Sequence, residues 1–223
     1  MNFLPASKDE RFKKWPEGWP PKDYFVDQHK VSLAQYKEFE QLVYSRASET
    51  QIESFLSRNK EVLALTIFLF CTGHHASWVY PKQQIRPASG DVSGLIPDYV
   101  LAGASSDGVS WFVLELKGAD KDAFRTHGKR VCLSREANEG VCQLINYIDV
   151  SSRSQAYLRD ELKLSGYREP CGILLIGIDE ESDDEQVCIF KGAWNRLNTQ
   201  VQIRSYGAVL RIVKEKIDFK NKG

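Results

Sequence analysis

Three charged side chains lie within two short apolar segments near the middle of the chain. Asp98 lies in segment 96–101, and Glu115 and Lys117 lie two residues apart in segment 111–117. Burying carboxylates and an ammonium group among Leu, Val and Phe side chains is costly unless the charges are paired or bind a metal ion. Two carboxylates beside a lysine can hold a divalent cation that activates water, and this combination favours phosphodiester hydrolysis.

The spacing of these residues predicts how they would be arranged. On a β-strand, Glu115 and Lys117 point to one face, and Asp98 on the preceding strand can lie beside Glu115 if the two strands pair in register. Two carboxylates with a backbone carbonyl suit a hard cation such as Mg²⁺ or Mn²⁺. The lysine could orient the attacking water and offset the charge that develops at phosphorus. A Glu-x-Lys pair alone is typical of a cross-strand salt bridge, so the interpretation depends on Asp98.

A helix predicted over 134–150 carries two polar side chains on one face. Gln143 and Tyr147 are four residues apart and therefore share that face. They could reach over the metal site to contact phosphate or support Lys117, although both residue types are also common on a half-buried helix. The apolar stripe of this helix is predicted to comprise Leu144, Ile145 and Ile148.

Another helix is predicted to begin near Ser48, because Ser48 and Gln51 match a capping box. Glu49 and Glu53 lie four residues apart in this helix, so either could lie near the metal. Glu49 also has a structural explanation, since a carboxylate in the first turn offsets the helix dipole. The spacing does not choose between the two carboxylates.

Segment 118–133 follows Lys117 directly and is rich in cationic side chains. A basic loop at the mouth of a metal site could steer and hold phosphates, although an ordinary solvated loop can have the same composition. The candidate nucleic-acid-binding residues are Lys121, Arg125, Lys129, Arg130 and, at the start of the next helix, Arg135.

The order of the predicted elements gives an α/β sandwich with a mixed sheet. Strand 171–178 is continuously apolar and follows a helical crossover, so we expect it to lie parallel to a neighbour. The acidic run 179–185 is interpreted as a hairpin tip between two strands, and the chain after Lys214 as frayed. The predicted helices cover 31–44, a segment from residue 48, 134–150 and 208–217; the predicted strands cover 77–85, 95–101, 110–117, 171–178, 186–191 and 201–204; turns are predicted at 87–94 and 103–108.

Composition limits the class of protein. The 30 Lys and Arg residues balance the 30 Asp and Glu residues, so a nucleic-acid partner would need positive charge gathered locally. Five widely spaced cysteines without a C-x-x-C pair favour reduced, buried thiols over a zinc site or disulfides. The longest apolar run, 62–71, is about half of the ~20 residues that a membrane helix needs. We therefore expect a cytoplasmic protein with no signal peptide and no membrane contact.

The first 30 residues are rich in Pro and Trp. Proline disfavours regular helix and sheet there, so this arm is predicted to be irregular. Trp15 and Trp19 either dock on the main body or form a contact surface for a protein or nucleic acid.

Taken in order, the site motifs resemble those of the PD-(D/E)xK nuclease superfamily. The resemblance rests on Pro97-Asp98, Glu115-Leu116-Lys117 and Gln143-x-x-x-Tyr147, and the last of these resembles the RecB-like and Shedu-like branches. Residues 46–215 are most similar to the nuclease domain of the Shedu anti-phage defence proteins. Each motif alone is modestly specific, and the ordered set is considerably more so.

The resemblance implies a restriction-endonuclease-like core, in which a mixed central sheet is flanked by helices. It implies that Asp98, Glu115 and the Leu116 carbonyl bind Mg²⁺, which Mn²⁺ can replace, and that Lys117 positions the water. The further implied roles are completion of the acidic cluster by Glu49 or Glu53 and organisation of the site or the DNA backbone by Gln143 and Tyr147.

The resemblance also implies a domain organisation and partners. Residues 1–45 would form an N-terminal arm and helix, 46–217 the nuclease domain, and 218–223 a basic tail. Because Shedu-like proteins often carry N-terminal domains and form oligomers, we expect a homo-oligomer whose sensing module is minimal or lies on an activating partner. A DNA end is an alternative activator.

The leading hypothesis is therefore a metal-dependent DNA endonuclease of an anti-phage defence system. A catalytically silent or partner-gated nucleic-acid-binding protein of the same fold is one alternative. An RNA nuclease is another, although the sequence shows no platform of exposed aromatic residues for splayed bases apart from Trp15 and Trp19.

Overall fold

A six-stranded mixed sheet with helices on both faces forms the centre of the protein. The computed structural model describes residues 15–70, 73–86, 94–179 and 185–222. The strands are β1 (Phe25–Val26), β2 (Ala76–Pro81), β3 (Tyr99–Ser105), β4 (Gly108–Leu116), β5 (Phe124–His127), β6 (Arg130–Leu133), β7 (Cys171–Leu175) and β8 (Val201–Arg204). The α-helices are α1 (Leu33–Tyr44), α2 (Glu49–Arg58), α3 (Lys60–Ala64), α4 (Arg135–Arg153), α5 (Gln155–Asp160), α6 (Glu185–Leu197) and α7 (Tyr206–Lys222).

The strand order β1-β2-β3-β4-β7-β8 confirms an α/β fold with a mixed sheet. Strands β1 to β4 pair antiparallel, whereas β4 with β7 and β7 with β8 pair parallel. Helices α4 and α5 provide the crossover that parallel pairing of β4 with β7 requires. The predicted parallel strand is thereby confirmed, although it ends at Leu175. Within the described part of the chain, no helix has both the length and the apolar character needed to span a membrane.

Alternation along β4 divides the core into two layers. Leu114 and Leu116 belong to the layer formed with α1, α2, α3 and α7, whereas Trp111 and Val113 belong to the layer formed with α4. Because alternate residues share a face, Glu115 lies on the α4 side of the sheet. One strand therefore fills both core layers and also carries a carboxylate to the edge of the sheet.

Two helix starts position candidate site residues as the sequence predicts. At the start of α2, the Ser48 backbone N–H donates to Gln51 Oε1 at 2.9 Å, which is half of the predicted capping box. At the start of α4, Ser134 Oγ accepts from the Ala137 N–H at 3.0 Å. These caps fix where the two helices that carry Glu49 and Tyr147 begin.

Segment 186–191 is helical, so the strand predicted there is wrong. It lies in α6, where Val187, Phe190 and Trp194 recur at three- and four-residue spacings and pack on the α4-side core. This helical period outweighs the β-branched and aromatic content that favours a strand. The acidic run therefore does not join two strands as a hairpin tip would, and residues 180–184 lie outside the described residues.

The basic segment 118–133 was predicted to be a loop. The structure instead contains an antiparallel hairpin there, formed by β5 and β6. A two-residue turn at 128–129 joins the strands, with Gly128 at φ +62°, a conformation that glycine adopts without a steric penalty. Phe124 of the hairpin packs on Phe190 of α6, with ring centroids 5.6 Å apart. The hairpin therefore has a buried anchor and an exposed cationic tip.

Strand boundaries around β3 also differ from the prediction. β3 continues through Gly103 to Ser105, because Gly103 pairs with Ser110 of β4; the predicted turn is therefore shorter. Leu95 lies before the strand and pairs with Ile85 through an isolated bridge. Most of the turn predicted at 87–94 falls on residues 87–93, which lie outside the described residues.

Three smaller expectations are corrected at the surface. Helix α7 continues to Lys222 and is not frayed after Lys214. Ile145 is 52% exposed, because the buried face of α4 passes through Leu144, Tyr147 and Ile148 instead. The cysteines were expected to be buried, but the described ones are not: Cys142 and Cys188 are exposed, and Cys132 and Cys171 are half-buried.

Trp15 and Trp19 dock on the main body, which is one of the two alternatives that the sequence left open. Trp15 and Trp19 contact Trp78 of β2 edge to face, with ring centroids 6.0 Å and 5.2 Å away. Such aromatic pairs add to the free energy gained by burying the rings. Trp15 and Trp19 therefore pack against the sheet near β1 and β2.

A half-buried carboxylate, Asp179, links α6, α7 and the segment before α7. It accepts hydrogen bonds from Lys191 of α6, from Ser205 Oγ at 2.6 Å and from Arg211 of α7 at 2.9 Å. Burial raises the pKa of Asp179, but these hydrogen bonds outweigh it and lower the pKa to about 2. The ionised carboxylate therefore stabilises the fold above pH 3.8, and this contribution is lost as the pH falls through about 2.

We expect Asp179→Asn to lower the free energy of unfolding by about 1–3 kcal/mol at pH 7, because Lys191 and Arg211 lose their charged acceptor. Urea denaturation measures this change. Asp160→Asn, on an exposed residue of α5, is the matched control and should be neutral. An Asp179→Asn protein as stable as the native one would contradict the structural role of this network.

Candidate active site

Four carboxylates and two lysines gather at one edge of the central sheet. The carboxyl ends of β4 and β7 lie at this edge, beside the amino end of antiparallel β3. The start of α2 comes close, since the Ala119 N–H donates to the Ala47 carbonyl at 2.9 Å. A Cβ on Gly118 would lie 3.1 Å from the Glu49 nitrogen, so glycine permits this approach. The site cluster consists of Glu49, Glu53, Lys82, Asp98, Glu115 and Lys117.

Glu115 and Lys117 form an ion pair within the protein. Lys117 Nζ lies 2.9 Å from Glu115 Oε1, and the two side chains are 15% and 6% exposed. The Lys117 N–H donates to the Leu175 carbonyl at 2.8 Å, and its carbonyl accepts from the Tyr206 hydroxyl at 2.6 Å. The backbone of this lysine is thus held by β7 on one side and by α7 on the other.

Asp98 continues the β3–β4 ladder with its side chain. The last paired residues are Tyr99 and Leu114, and beyond them Asp98 Oδ2 accepts from the Leu116 N–H at 2.8 Å. In a strand, the N–H and C=O of one residue point toward the same neighbour. The Leu116 carbonyl therefore points to the side on which Asp98 lies, which is the arrangement that a shared metal would need.

Lys82, which the sequence analysis missed, is the second cation of the cluster. Its Nζ lies 2.5 Å from Asp98 Oδ1 and 2.9 Å from Glu53 Oε1, and its N–H donates to the Asp98 carbonyl at 3.0 Å. Burial lowers the pKa of Lys82, but the hydrogen bonds to Asp98 and Glu53 outweigh it and raise the pKa. The available signal was its position directly after a strand that pairs with the Asp98 strand.

The two candidate glutamates of α2 contact different lysines. Glu49 Oε2 lies 4.0 Å from Lys117 Nζ, whereas Glu53 bonds Lys82. Burial raises the pKa of Glu49, and the nearby charge of Lys117 partly lowers it again. Both carboxylates thus belong to the cluster, with Glu49 on the Glu115 side and Glu53 on the Asp98 side.

The two polar residues of α4 differ in their contacts. The Tyr147 hydroxyl donates to the Ile96 carbonyl at 3.3 Å, and burial raises its pKa, with Glu115 adding to the rise. Tyr147 therefore lies against the segment that leads into Asp98. Gln143 is half-buried one turn earlier on the helix.

Glu115 is the most perturbed carboxylate of the cluster. Burial and the negative charge of Asp98 raise its pKa to about 7, although the hydrogen bond from Lys117 acts in the opposite direction. Burial is the largest cause of this rise, because a low-dielectric surrounding disfavours the charged form of a carboxyl group. A perturbed pKa next to a specific charged partner marks Glu115 as a functional candidate.

Lysines occupy the carboxylate oxygens that a metal would use. Within the described ranges, no three Cys, His or carboxylate side chains are spaced to hold a metal ion. Lys82 contacts Asp98 and Lys117 contacts Glu115. The chemistry of the donors still fits Mg²⁺, since carboxylate and carbonyl oxygens are its preferred protein ligands. When all six groups are charged, four carboxylates outnumber two ammonium groups by two, which matches the charge of a divalent cation.

The predicted phosphate-binding residues lie outside this cluster. Arg125, Lys129 and Arg130 are exposed on the β5–β6 hairpin. Lys121 pairs with Asp120 at 2.9 Å and Arg135 with Glu139 at 2.9 Å. Among the described residues, Lys121 and Arg135 have carboxylate partners and the three hairpin residues have none, so the hairpin residues are the stronger candidates for phosphate contact.

The fold and the cluster together define an α/β protein with a charged site at the edge of a mixed sheet. The family model described as Shedu protein SduA, C-terminal, matches residues 46–210. The chain therefore belongs to the Shedu SduA C-terminal family, and this membership points to a role in anti-phage defence. A search of curated proteins found no match.

Proposed function

We propose that this protein is a metal-dependent DNA endonuclease of the PD-(D/E)xK type, with a restriction-endonuclease-like core, that acts in cytoplasmic anti-phage defence. The observation that carries the proposal is the juxtaposition of Asp98, Glu115 and Lys117 at one sheet edge with an excess of negative charge. Structural salt bridges alone would not require more carboxylates than cations in a partly buried position. Membership of the Shedu family supports the same assignment.

In this proposal, Asp98, Glu115 and the Leu116 carbonyl hold Mg²⁺ or Mn²⁺, and Glu49 or Glu53 completes the cluster. The bound cation supplies Lewis-acid stabilisation of the phosphate and lowers the pKa of water. The further roles assigned here are orientation of the attacking water by Lys117 and support of the site or the DNA backbone by Gln143 and Tyr147.

Lys117 is well placed for its role, because three contacts restrict it. Its ammonium is held by Glu115, and its backbone is fixed by Leu175 and Tyr206. A lysine held in this way can present one donor to a water molecule at little entropic cost when the site fills. It also places positive charge where negative charge develops on the phosphoryl oxygens.

The primary experiment incubates the purified protein with supercoiled plasmid and with linear duplex DNA, in Mg²⁺, Mn²⁺ or EDTA. Cleavage that requires the metal is expected, and the preferred substrate shows whether DNA ends activate the enzyme. The matched protein is Asp98→Asn, which keeps the size of the side chain. Cleavage by Asp98→Asn at the native rate would overturn the assignment of the site.

The β5–β6 hairpin is proposed to bind the DNA backbone next to this site. Replacing Arg125, Lys129 and Arg130 together by glutamine should weaken DNA binding and lower the slope of log affinity against log salt by about 2–3, since each lost phosphate contact contributes about 0.9. Fluorescence anisotropy at several salt concentrations measures both quantities.

The control for this experiment neutralises three exposed lysines on the opposite side of the sheet, Lys30, Lys37 and Lys60. It removes the same charge and should change the salt slope little. Equal effects of the two triple variants would show that net charge, and not the hairpin, drives binding.

The second candidate function is a gated nucleic-acid-binding protein. The contacts of Lys82 and Lys117 with the carboxylates favour such a protein as the state before activation. Both lysines contact carboxylates that the metal would need, so an activating partner, a DNA end or assembly into a homo-oligomer would have to precede cutting. Binding of DNA without cleavage in every metal condition would favour this candidate.

A further inference from the structure

We propose that Lys82 is an internal cation that competes with the metal ion for Asp98 and Glu53, and so holds the site in an inactive, metal-free state. This inference rests on the proposed metal-dependent function and adds a regulatory residue to it. The lysine is not part of the Asp98, Glu115 and Lys117 set, and no role in water activation is assigned to it.

The contacts of Lys82 support competition with a metal ion. Its Nζ contacts Asp98 Oδ1 at 2.5 Å and Glu53 Oε1 at 2.9 Å. The other Asp98 oxygen already accepts from the Leu116 N–H at 2.8 Å. Both oxygens of the aspartate are therefore engaged by protein donors, and a metal ion at Oδ1 would be repelled by the adjacent ammonium until that ammonium moves away.

The backbone of Lys82 has an energetically unfavourable conformation. Its φ is +47°, a left-handed conformation that is uncommon for a residue with a long side chain. The N–H of Lys82 bonds the Asp98 carbonyl at 3.0 Å, so the two residues are joined through backbone and side chain alike. Strain of this kind persists only where surrounding contacts impose it.

The side chain of Lys82 is also exposed enough for its ammonium to move from the site into solvent. Its side chain is 49% exposed, whereas that of Asp98 is 13% exposed. Rotation of the lysine toward solvent would release Asp98 and Glu53 without disturbing the Glu115–Lys117 pair. When only a fraction of the molecules has the site open, the apparent metal affinity falls in proportion to that fraction.

Binding of Mn²⁺ to the DNA-free protein, followed by electron paramagnetic resonance of the unbound ion, tests the competition without relying on activity. We expect Lys82→Gln to bind Mn²⁺ at least tenfold more tightly than the native protein. Lys82→Gly is a second variant that suits the positive φ and should behave alike. Lys82→Arg keeps a cation in place and should bind as weakly as the native protein.

Lys60→Gln is the charge control, since Lys60 is exposed at the start of α3 and its loss changes the net charge equally. Its Mn²⁺ affinity should stay within about twofold of the native value, because exposed charges at a distance are screened. Equal affinities of Lys82→Gln and the native protein, with both depending on Asp98, would overturn the role of Lys82 alone. Absence of Asp98-dependent Mn²⁺ binding in every variant would overturn the metal site as well.

Discussion

Lys117→Ala is expected to reduce DNA cleavage to a trace, with a loss of about 10²–10³-fold in rate, while the protein stays folded. The physical reason is that its ammonium, 2.9 Å from Glu115, is the buried cation proposed to orient water and to offset charge in the transition state, and one such donor is worth about 10²–10³ in rate. Glu115→Ala should have an effect at least as large, since it also removes a proposed metal ligand.

Plasmid cleavage and circular dichroism of the same preparations measure the two properties side by side. Lys60→Ala serves as the matched control because it removes an exposed lysine of the same type. Native-like cleavage by clean preparations of both site variants would contradict the proposed catalytic roles of Glu115 and Lys117.

Glu115→Gln is expected to change how the stability of the metal-free protein depends on pH. The unfolded chain loses the Glu115 proton near pH 4.5, whereas the folded protein, in which burial raises this pKa, keeps it until about pH 7. Between these values the folded state binds the extra proton, so a rise in pH lowers the free energy of unfolding. Stability from this group is complete below pH 4.5 and is lost as the pH rises through 7.

The glutamine variant cannot ionise and should escape this loss. Relative to the native protein, Glu115→Gln should gain about 1–3 kcal/mol between pH 5 and pH 8, which is less than the full shift corresponds to because part of the change occurs below pH 5. Urea denaturation in EDTA at both pH values gives the difference, and other titrating groups cancel in it. A difference that is constant with pH would contradict the raised pKa.

Metal addition extends the same measurement. If Mg²⁺ binds the folded site alone, it should stabilise the native protein at pH 8 by an amount that grows with its concentration. The glutamine variant should respond less, since the carboxylate of Glu115 is one of the proposed ligands.

Much of this fold could be predicted from local sequence patterns. Periods of two and of about 3.6 residues identified β4, α1 and α4, and the Ser48–Gln51 cap placed the start of α2. Segment 186–191 was mistaken for a strand because Val, Ile and Phe occur in both element types, and its helical period emerges only when Trp194 is included. The hairpin was missed because its strands are only four residues long.

The residues of the candidate site also differ in whether the sequence could predict them. Asp98, Glu115 and Lys117 are predictable because charges inside apolar strands violate the usual pattern. Lys82 and Tyr206 are not, since a lysine after a strand and a tyrosine at a helix start are ordinary in sequence. Only the pairing of β2 with β3 and the packing of α7 bring them to the site.

The bond from Tyr206 to the Lys117 carbonyl also affects when the site can exist during synthesis. The two residues are 89 positions apart, and β7, which fixes the Lys117 N–H, is likewise made long after β4. Because chains emerge from the ribosome amino end first, the proposed water-positioning lysine stays without its anchors until nearly all of these residues have been translated. If the proposed function holds, a nascent chain that has not yet reached Tyr206 would therefore lack a correctly anchored Lys117.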